Sequence, residues 1–291
     1  LAAVRPTTRT TIVKITNLTN LPEPIYQACV NDPYTPGEQT DISCTQLIDP
    51  PQKVAIARAH GDEITEDCAD RLYALMGSAM HSILEQADTP GLVEERLYAE
   101  MLGWKISGQF DLLEDKVLSD YKFSSVWEWI YGLKQDRVNQ LNVLAWLCRQ
   151  NGYEVDGLQV VFLFRDWAKS KAKYDKDYPQ HQIAVVPVKL WDDDRARQYV
   201  EMRVRMHQQA REGIFEPCTA DERWAKPTKY AVMNKTNKRA LRLLDSPAEA
   251  EDWMQVSGKG THVEVRKGED TRCEYYCAAA DYCQQFKGLK S

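Results

Sequence analysis

The sequence predicts an α/β fold: one large domain with a mixed central sheet flanked by helices, followed by a small β-β-α-β appendage. Three observations predict it. Leu72, Leu75, Met76, Ala79, Met80, Ile83 and Leu84 recur at helical spacing. Strand-length segments follow, two of them joined as a hairpin around Glu114-Asp115. Strands and helices then alternate up to about residue 212, and the character of the chain changes after Glu216-Pro217.

Residues 1–44 are rich in Pro, Thr, Asn and Asp and read as an extended arm or irregular lead-in. The core domain is expected over 45–215. A helix starts near Asp49-Pro50-Pro51 and runs to about His60, and a second spans 64–87 and is ended by Thr89-Pro90-Gly91. Residues 92–104, 105–114 and 116–123 read as strands, and 125–150 as a helical stretch ending at Asn151-Gly152. A strand at 157–166, a Lys-rich loop from Lys169 to Gln180, a strand at 182–189 and a helix at 191–212 complete it. In the appendage, 216–291, Tyr230 to Met233 and Ala240 to Leu244 look like strands. Ser246 to Val256 looks like a helix, with Ser246 as N-cap, Pro247 at the first helical position and Glu249 completing a capping box. His262 to Arg266 reads as a third strand.

No apolar run approaches the eighteen or so residues that a membrane helix needs, and the first residues lack the order of a secretory signal. The expectation is a cytosolic protein without a membrane partner. A net charge of -6 argues against a protein that simply coats nucleic acid. One stretch is nevertheless basic, with Arg223, Lys226, Lys229, Lys235, Lys238, Arg239 and Arg242. It is either a solvated face or a track for DNA phosphates.

The chemistry-bearing residues lie on the hairpin. Asp120 and Lys122, at i and i+2 of one strand, project to the same face. The partner strand can bring Asp111 alongside them. Two carboxylates and an ammonium then converge, a set suited to phosphodiester hydrolysis with Mg²⁺ or Mn²⁺ held by carboxylate oxygens. An acid-x-Lys triplet alone carries almost no information, and a structural ion pair is the competing explanation. Upstream, His81 and Glu85 share one helix face at i and i+4. By itself His81 reads as an ordinary helix histidine and Gln140 as a surface residue.

Taken in order, Gly77-x-x-x-His81-x-x-x-Glu85, Gly108-x-Phe110-Asp111, Asp120-Tyr121-Lys122 and Gln140-Leu141 resemble the motif series of RecB-like PD-(D/E)XK nucleases. The resemblance spans about residues 43–150 and is greatest to phage-encoded exonucleases. It implies a restriction-endonuclease-like core. His81, Asp111, Asp120 and the backbone carbonyl of Tyr121 would hold the catalytic metal, Lys122 would assist the attacking water, and Glu85 and Gln140 would support the site or contact DNA. The chain departs from many relatives in having Leu144 and Ala145 where a Tyr is common after the Gln. The implied activity is a DNA exonuclease of phage recombination or end processing, working in the host cytoplasm. A single-strand annealing or recombination protein is the protein partner such a role brings. A non-catalytic DNA-binding protein on the same fold, or a structure-specific endonuclease, is the alternative.

Cys273-x3-Cys277-x5-Cys283, with Cys218 as a fourth thiolate, suits a 4Fe–4S cluster or a tetrahedral Zn²⁺; free thiols are the remaining possibility. Iron–sulfur members of the family carry a similar trio with Cys-x-x-Cys spacing and an upstream cysteine. Here the spacing differs, and Cys44 is the alternative fourth ligand.

Overall fold

The computed structural model describes residues 14–31 and 40–290. It divides between Phe215 and Glu216 into two units.

The first unit begins with elements that composition hides. β1 (Lys14–Thr16) and α1 (Glu23–Val30) occupy part of the expected arm, and β2 (Ile42–Ser43) joins the core. β1 pairs in parallel with β3 (Thr65–Asp67). What stabilises this pairing is the Asp67 carboxylate, which accepts the N–H groups of Leu18 and Ala69 and the hydroxyls of Thr16 and Thr19. Those donors, the backbone ones first, hold its pKa below the usual carboxylate range.

α2 (Cys44–Ile48) starts in a capping box: Ser43 Oγ accepts the Gln46 N–H at 3.2 Å, and Gln46 Oε1 accepts the Ser43 N–H at 3.3 Å. α3 (Pro51–Ala59) follows where the sequence places a helix. The next helix starts later than its expected 64–87 span: after β3 comes a 3₁₀ turn, Cys68–Arg71, and only then α4 (Leu72–Glu85).

Two expected strands each prove to be two. Residues 92–104 split into β4 (Leu92–Val93) and β5 (Arg96–Met101), and 105–114 into β6 (Trp104–Gln109) and β7 (Leu112–Glu114). β7 and β8 (Val117–Ser124) form the expected hairpin, with positive φ at both Asp115 (48°) and Lys116 (62°), the geometry of a two-residue hairpin turn. The helical stretch 125–150 is broken at Gly132 (φ 90°) into α5 (Val126–Ile130) and α6 (Gln135–Gln150). β9 (Gly157–Phe164) follows as expected. The Lys-rich loop contains a helix, α7 (Lys169–Tyr174), and β10 (Ile183–Val188) and α8 (Asp193–Arg211) close the unit.

The strands form a mixed five-stranded sheet in the order β10-β9-β8-β7-β4 and a three-stranded sheet in the order β2-β6-β5. In the larger one β8 and β9 are parallel and the other pairs antiparallel. α6 packs on strands of both sheets and on α2 and α8. Its residues from Leu141 to Cys148 are therefore all buried, Asn142 included, whose amide bonds the Lys189 carbonyl and the Trp191 N–H. Gly108 lets β6 approach this helix: a Cβ there would lie 2.6 Å from Leu147 Cδ1 and 2.7 Å from Leu144 Cδ2.

In the second unit β11 (Ala225–Lys226) is followed by β12 (Lys229–Asn234), β13 (Asn237–Leu244), α9 (Pro247–Ser257) and β14 (His262–Arg266). This is the β-β-α-β order expected, with sheet order β13-β12-β14. Ser246 Oγ caps α9 by accepting the Glu249 N–H at 3.1 Å. β15 (Glu269–Asp270), α10 (Thr271–Tyr275) and α11 (Gln284–Lys290) end the chain. Among the described residues no helix is long and apolar enough to cross a membrane.

The C-terminal carbonyls of α2 depend on α8. Buried Arg203 donates from Nε to the Leu47 carbonyl at 2.8 Å and from Nη2 to the Asp49 carbonyl, and His207 Nε2 donates to Leu47 at 3.1 Å. Burial, then the neighbouring guanidinium, pushes His207 down to about 4, so it is neutral at physiological pH. Arg203→Met keeps the apolar stem and removes a charged donor from both carbonyls, leaving His207 on Leu47. The expected loss is about 2–4 kcal/mol, read as a lower urea midpoint at unchanged slope; an unshifted midpoint would show that water satisfies these groups.

Candidate active site

The two sheets separate where the chemistry-bearing residues lie. β7 pairs with β8 from Leu112↔Ser119 to Glu114↔Val117 and no further. β5 and β6 pair up to Arg96↔Gln109. Between β4 and β5 stand Glu94 and Glu95, and between β6 and β7 stand Phe110 and Asp111. Two hydrogen bonds tie these crossings together: Glu94 N–H to the Asp111 carbonyl, 3.1 Å, and Phe110 N–H to the Glu95 carbonyl, 3.2 Å.

Asp111 thus sits at a change of sheet and not within a strand. Its Oδ2 accepts the Tyr121 N–H at 2.6 Å, taking up the edge of β8 that β7 has left. On β8, Asp120 is 4% exposed and its Oδ1 lies 2.6 Å from Lys122 Nζ, on the shared face expected for i and i+2. His81, on α4, places Nδ1 2.9 Å from Glu94 Oε1 and 3.7 Å from Asp111 Oδ1. Its ring meets that of Tyr121 edge-on at 6.5 Å. Glu94 Oε2 accepts from Gln109 Nε2 at 2.8 Å, and Gln109 Oε1 accepts from Arg96 at 2.7 Å.

Glu94 is the residue that sequence reasoning missed. It lies inside a segment expected to be one strand, at φ 50°, a conformation uncommon for a non-glycine residue. The signal available was a run of three charged residues, Glu94-Glu95-Arg96, between two apolar pieces of the expected strand.

Electrostatics follow the geometry. Burial, then the charge of Asp120, pushes the Asp111 carboxyl up to about 7, against the pull of Lys122, His81 and the Tyr121 N–H. The hydrogen bond that its ring N–H donates to the Glu94 carboxylate holds the His81 imidazole above its usual pKa despite burial, and the Asp111 charge adds to this. The Tyr121 phenol is raised by burial and by Asp111, Glu114 and Glu94. Buried acids this crowded favour a cation. Ligand atoms of His81, Glu94 and Asp111 all lie within 4.8 Å of one another. Two carboxylate oxygens and an imidazole nitrogen form a donor set that accepts Mg²⁺ or Mn²⁺.

The chain is similar in structure to solved exonucleases. No protein-family model and no curated protein matches it. A phage-related exonuclease from Haemophilus somnus 129PT shares 16% identity at a TM-score of 0.42, over 60% of this chain and 95% of that one. The alkaline exonuclease LHK-Exo from Laribacter hongkongensis shares 11% at a TM-score of 0.37, over 59% and 89%. The structure of SSO0001 shares 16% at a TM-score of 0.40, over 62% and 83%. Likenesses of this degree leave function to be argued from the site itself.

The remaining expected site residues lie elsewhere. Glu85 is exposed at the end of α4 and does not join the three-ligand group. Gln140 is half-buried on α6, and its backbone carbonyl accepts from the Cys44 thiol at 3.6 Å. Cys44 is buried in the first unit, its pKa raised by burial and by the Asp120 charge. In the second unit Cys218, Cys273, Cys277 and Cys283 are all half-buried. Among the described residues they form no group with ligand atoms within 4.8 Å of one another; burial first, then Glu222 and the thiols of Cys283, Cys273 and Cys277, push the Cys218 thiol up to about 12. Cys273 is raised to about 11 by burial and then by Cys277. Of the basic stretch, Arg223 bonds Asp270 at 2.8 Å, Lys226 bonds Glu269 at 2.5 Å and Lys229 bonds Asp245. Lys235, Lys238 and Arg239 are exposed around the β12–β13 turn.

One consequence is testable without substrate. The Asp111 carboxyl keeps its proton to about pH 7 in the folded chain but only to about pH 4 when unfolded. The folded state therefore binds more protons in that window, and this group makes stability fall as pH rises from about 4 to 7. In chelator, Asp111→Asn is expected to melt higher than the parent at pH 8, with the difference closing toward pH 4. Added Mn²⁺ should raise the parent's melting temperature and not the variant's. A variant melting below the parent at pH 8 in chelator would contradict the assigned burial cost.

Proposed function

We propose that the protein is a divalent-metal-dependent deoxyribonuclease, an exonuclease of phage recombination or end processing. The observation that carries this reading is the convergence of Asp111, Asp120 and Lys122 beside a His81–Glu94–Asp111 group able to take a hard cation. A structural ion pair needs only Asp120 and Lys122. It does not account for three further ionisable side chains gathered at the same break between sheets.

His81, Glu94, Asp111 and Asp120 would hold the ion, with the Tyr121 carbonyl as a further oxygen donor. When bound, a divalent ion lowers the pKa of a coordinated water and polarises the scissile phosphate. The remaining work falls to side chains. Lys122, anchored on Asp120 at 2.6 Å, has N–H groups left to orient a water or to meet charge growing on the phosphate. The Tyr121 N–H fixes one Asp111 oxygen, so the other points toward His81. Glu94, braced by Gln109, fixes the imidazole. Glu85 and Gln140 are proposed as outer residues that contact DNA or support the site.

In the second unit we propose that Cys218, Cys273, Cys277 and Cys283 hold a 4Fe–4S cluster, with Zn²⁺ as the alternative. What supports this reading is four half-buried thiols of one unit in a dense sequence cluster, a soft donor set. Cys44 is not preferred as fourth ligand, because its thiol is sealed in the first unit's core against Gln140. Arg223, Lys226, Lys229, Lys235, Lys238 and Arg239 are proposed to meet DNA phosphates, the last three most directly because they stand exposed.

With Mg²⁺ or Mn²⁺, end-labelled linear DNA is expected to be degraded and closed circular DNA spared. Asp120→Ala and Lys122→Ala should each lose about 10³-fold or more in rate. Glu94→Gln should raise the metal concentration for half-maximal rate by about 10- to 100-fold. If the parent leaves linear, circular and single-stranded DNA intact in both metals, the enzyme is ruled out, and salt-sensitive binding alone would indicate a DNA-binding module. Protein purified without oxygen should show a broad absorbance band near about 400 nm. Cys218→Ser should remove the band and Cys44→Ser should keep it; a colourless, zinc-containing product decides for Zn²⁺.

A further inference from the structure

Aromatic rings that packing does not require surround the C-terminal ends of the parallel strands β8 and β9. In α5, Val126 is buried, and Trp129 and Ile130 pack on the core. Trp127 and Tyr131, four residues apart, share the opposite face. Their rings stack with centroids 5.7 Å apart and planes at 22°, while Trp127 remains 48% and Tyr131 82% exposed. Lys171 Nζ stands 5.9 Å from the Trp127 ring centre. Just past β9, the Arg165 guanidinium lies 4.1 Å over Tyr73, itself 59% exposed. Tyr174 is also exposed, with the Lys173 ammonium beside it.

The acids nearby are engaged. Glu128 is ion-paired with Arg137 at 3.0 Å and accepts from the Ser124 hydroxyl. Asp166 accepts the Ser125 hydroxyl and the Val126 N–H. Exposed π faces interleaved with cations are the chemistry that holds unpaired nucleotides: bases stack on the rings and phosphates meet the cations. A duplex offers such a surface only its phosphates, because its base faces are already stacked.

We infer that Trp127 and Tyr131, with Lys171 and Arg165, form a stacking platform for a single-stranded DNA segment. The five residue steps from Lys122 to Trp127 span at most about 17 Å. The platform would therefore hold the strand a few nucleotides from the catalytic carboxylates. This deepens the nuclease reading and rests on it for the identity of the polymer.

The test uses the full chain in a Lys122→Ala background with Mg²⁺, so that DNA survives the measurement. Fluorescence anisotropy follows a labelled oligothymidylate of about 20 nucleotides and a blunt duplex of the same length. Trp127→Ala/Tyr131→Ala is expected to weaken single-strand binding by about 10- to 100-fold, the worth of one or two stacked bases. Duplex binding should change by less than about threefold. Trp127→Phe/Tyr131→Phe should stay near the parent on both, which separates stacking from misfolding. Equal losses on strand and duplex would overturn the platform. So would unchanged single-strand binding, which would leave the face to a protein partner. If the Lys122-containing protein cleaves no DNA but the alanine pair still loses single-strand binding, the platform stands and the nuclease reading falls.

Discussion

The site exists because two neighbouring strands change sheets at the same level. β5 and β6 end their pairing at Arg96↔Gln109, and the chain on both sides enters the larger sheet through β4 and β7. At that step a polar edge opens on β8, and the Asp111 carboxylate closes it by accepting the Tyr121 N–H. A backbone carbonyl in that place would satisfy the N–H equally well and carry no charge. A carboxylate does so while leaving a second oxygen for other work. The cost is a buried anion beside Asp120, visible in the raised pKa of Asp111.

The same step explains why the imidazole is held so tightly. Glu94 and Asp111 face each other across the crossing, tied by a backbone hydrogen bond. Glu94 adopts φ 50° there, a local strain that a regular strand would not need. The turn directs its carboxylate to His81 on one side and Gln109 on the other. Three ligand atoms are therefore positioned by two loops and one helix whose relative placement the sheets determine.

This geometry also sets the limits of what the sequence discloses. Asp120 and Lys122 were legible because the i, i+2 rule is local, and the β7–β8 hairpin because its turn lies between alternating segments. The β-β-α-β run of the second unit was legible for a similar reason: Ser246, Pro247 and Glu249 announce a helix start. Glu94 was not, since a change of sheet is a long-range event and the apolar pieces on either side of it are each strand-like. Nor was β1, whose partner β3 lies some fifty positions away and whose pairing is stabilised by one aspartate among many. Composition suggested an irregular arm because Pro, Thr and Asn are turn formers, yet here they surround short paired elements. In the basic stretch the ion pairs were not legible: three of its side chains bond acids of their own unit, two of them more than forty positions away in sequence.

As a nuclease, the function proposed above, a chain of net charge -6 would have to hold a polyanion. The gathered carboxylates of Glu94, Asp111 and Asp120 would repel a phosphate until a cation joined them, and Arg223, Lys226 and Lys229 have their charges matched by near neighbours. Coulomb attraction at the surface is also largely screened by salt beyond about 8 Å at physiological ionic strength. A binding term independent of charge then matters more here than in a basic protein. Stacked rings supply one, since every base has a π face and salt screens it little. Trp127 and Tyr131 lie just beyond the strand that carries Asp120 and Lys122, so a stacking term would act close to the buried carboxylates. In the proposed reading the gathered carboxylates and the exposed rings are thus complementary: acids to take a cation, and rings to hold a strand that those acids alone would turn away.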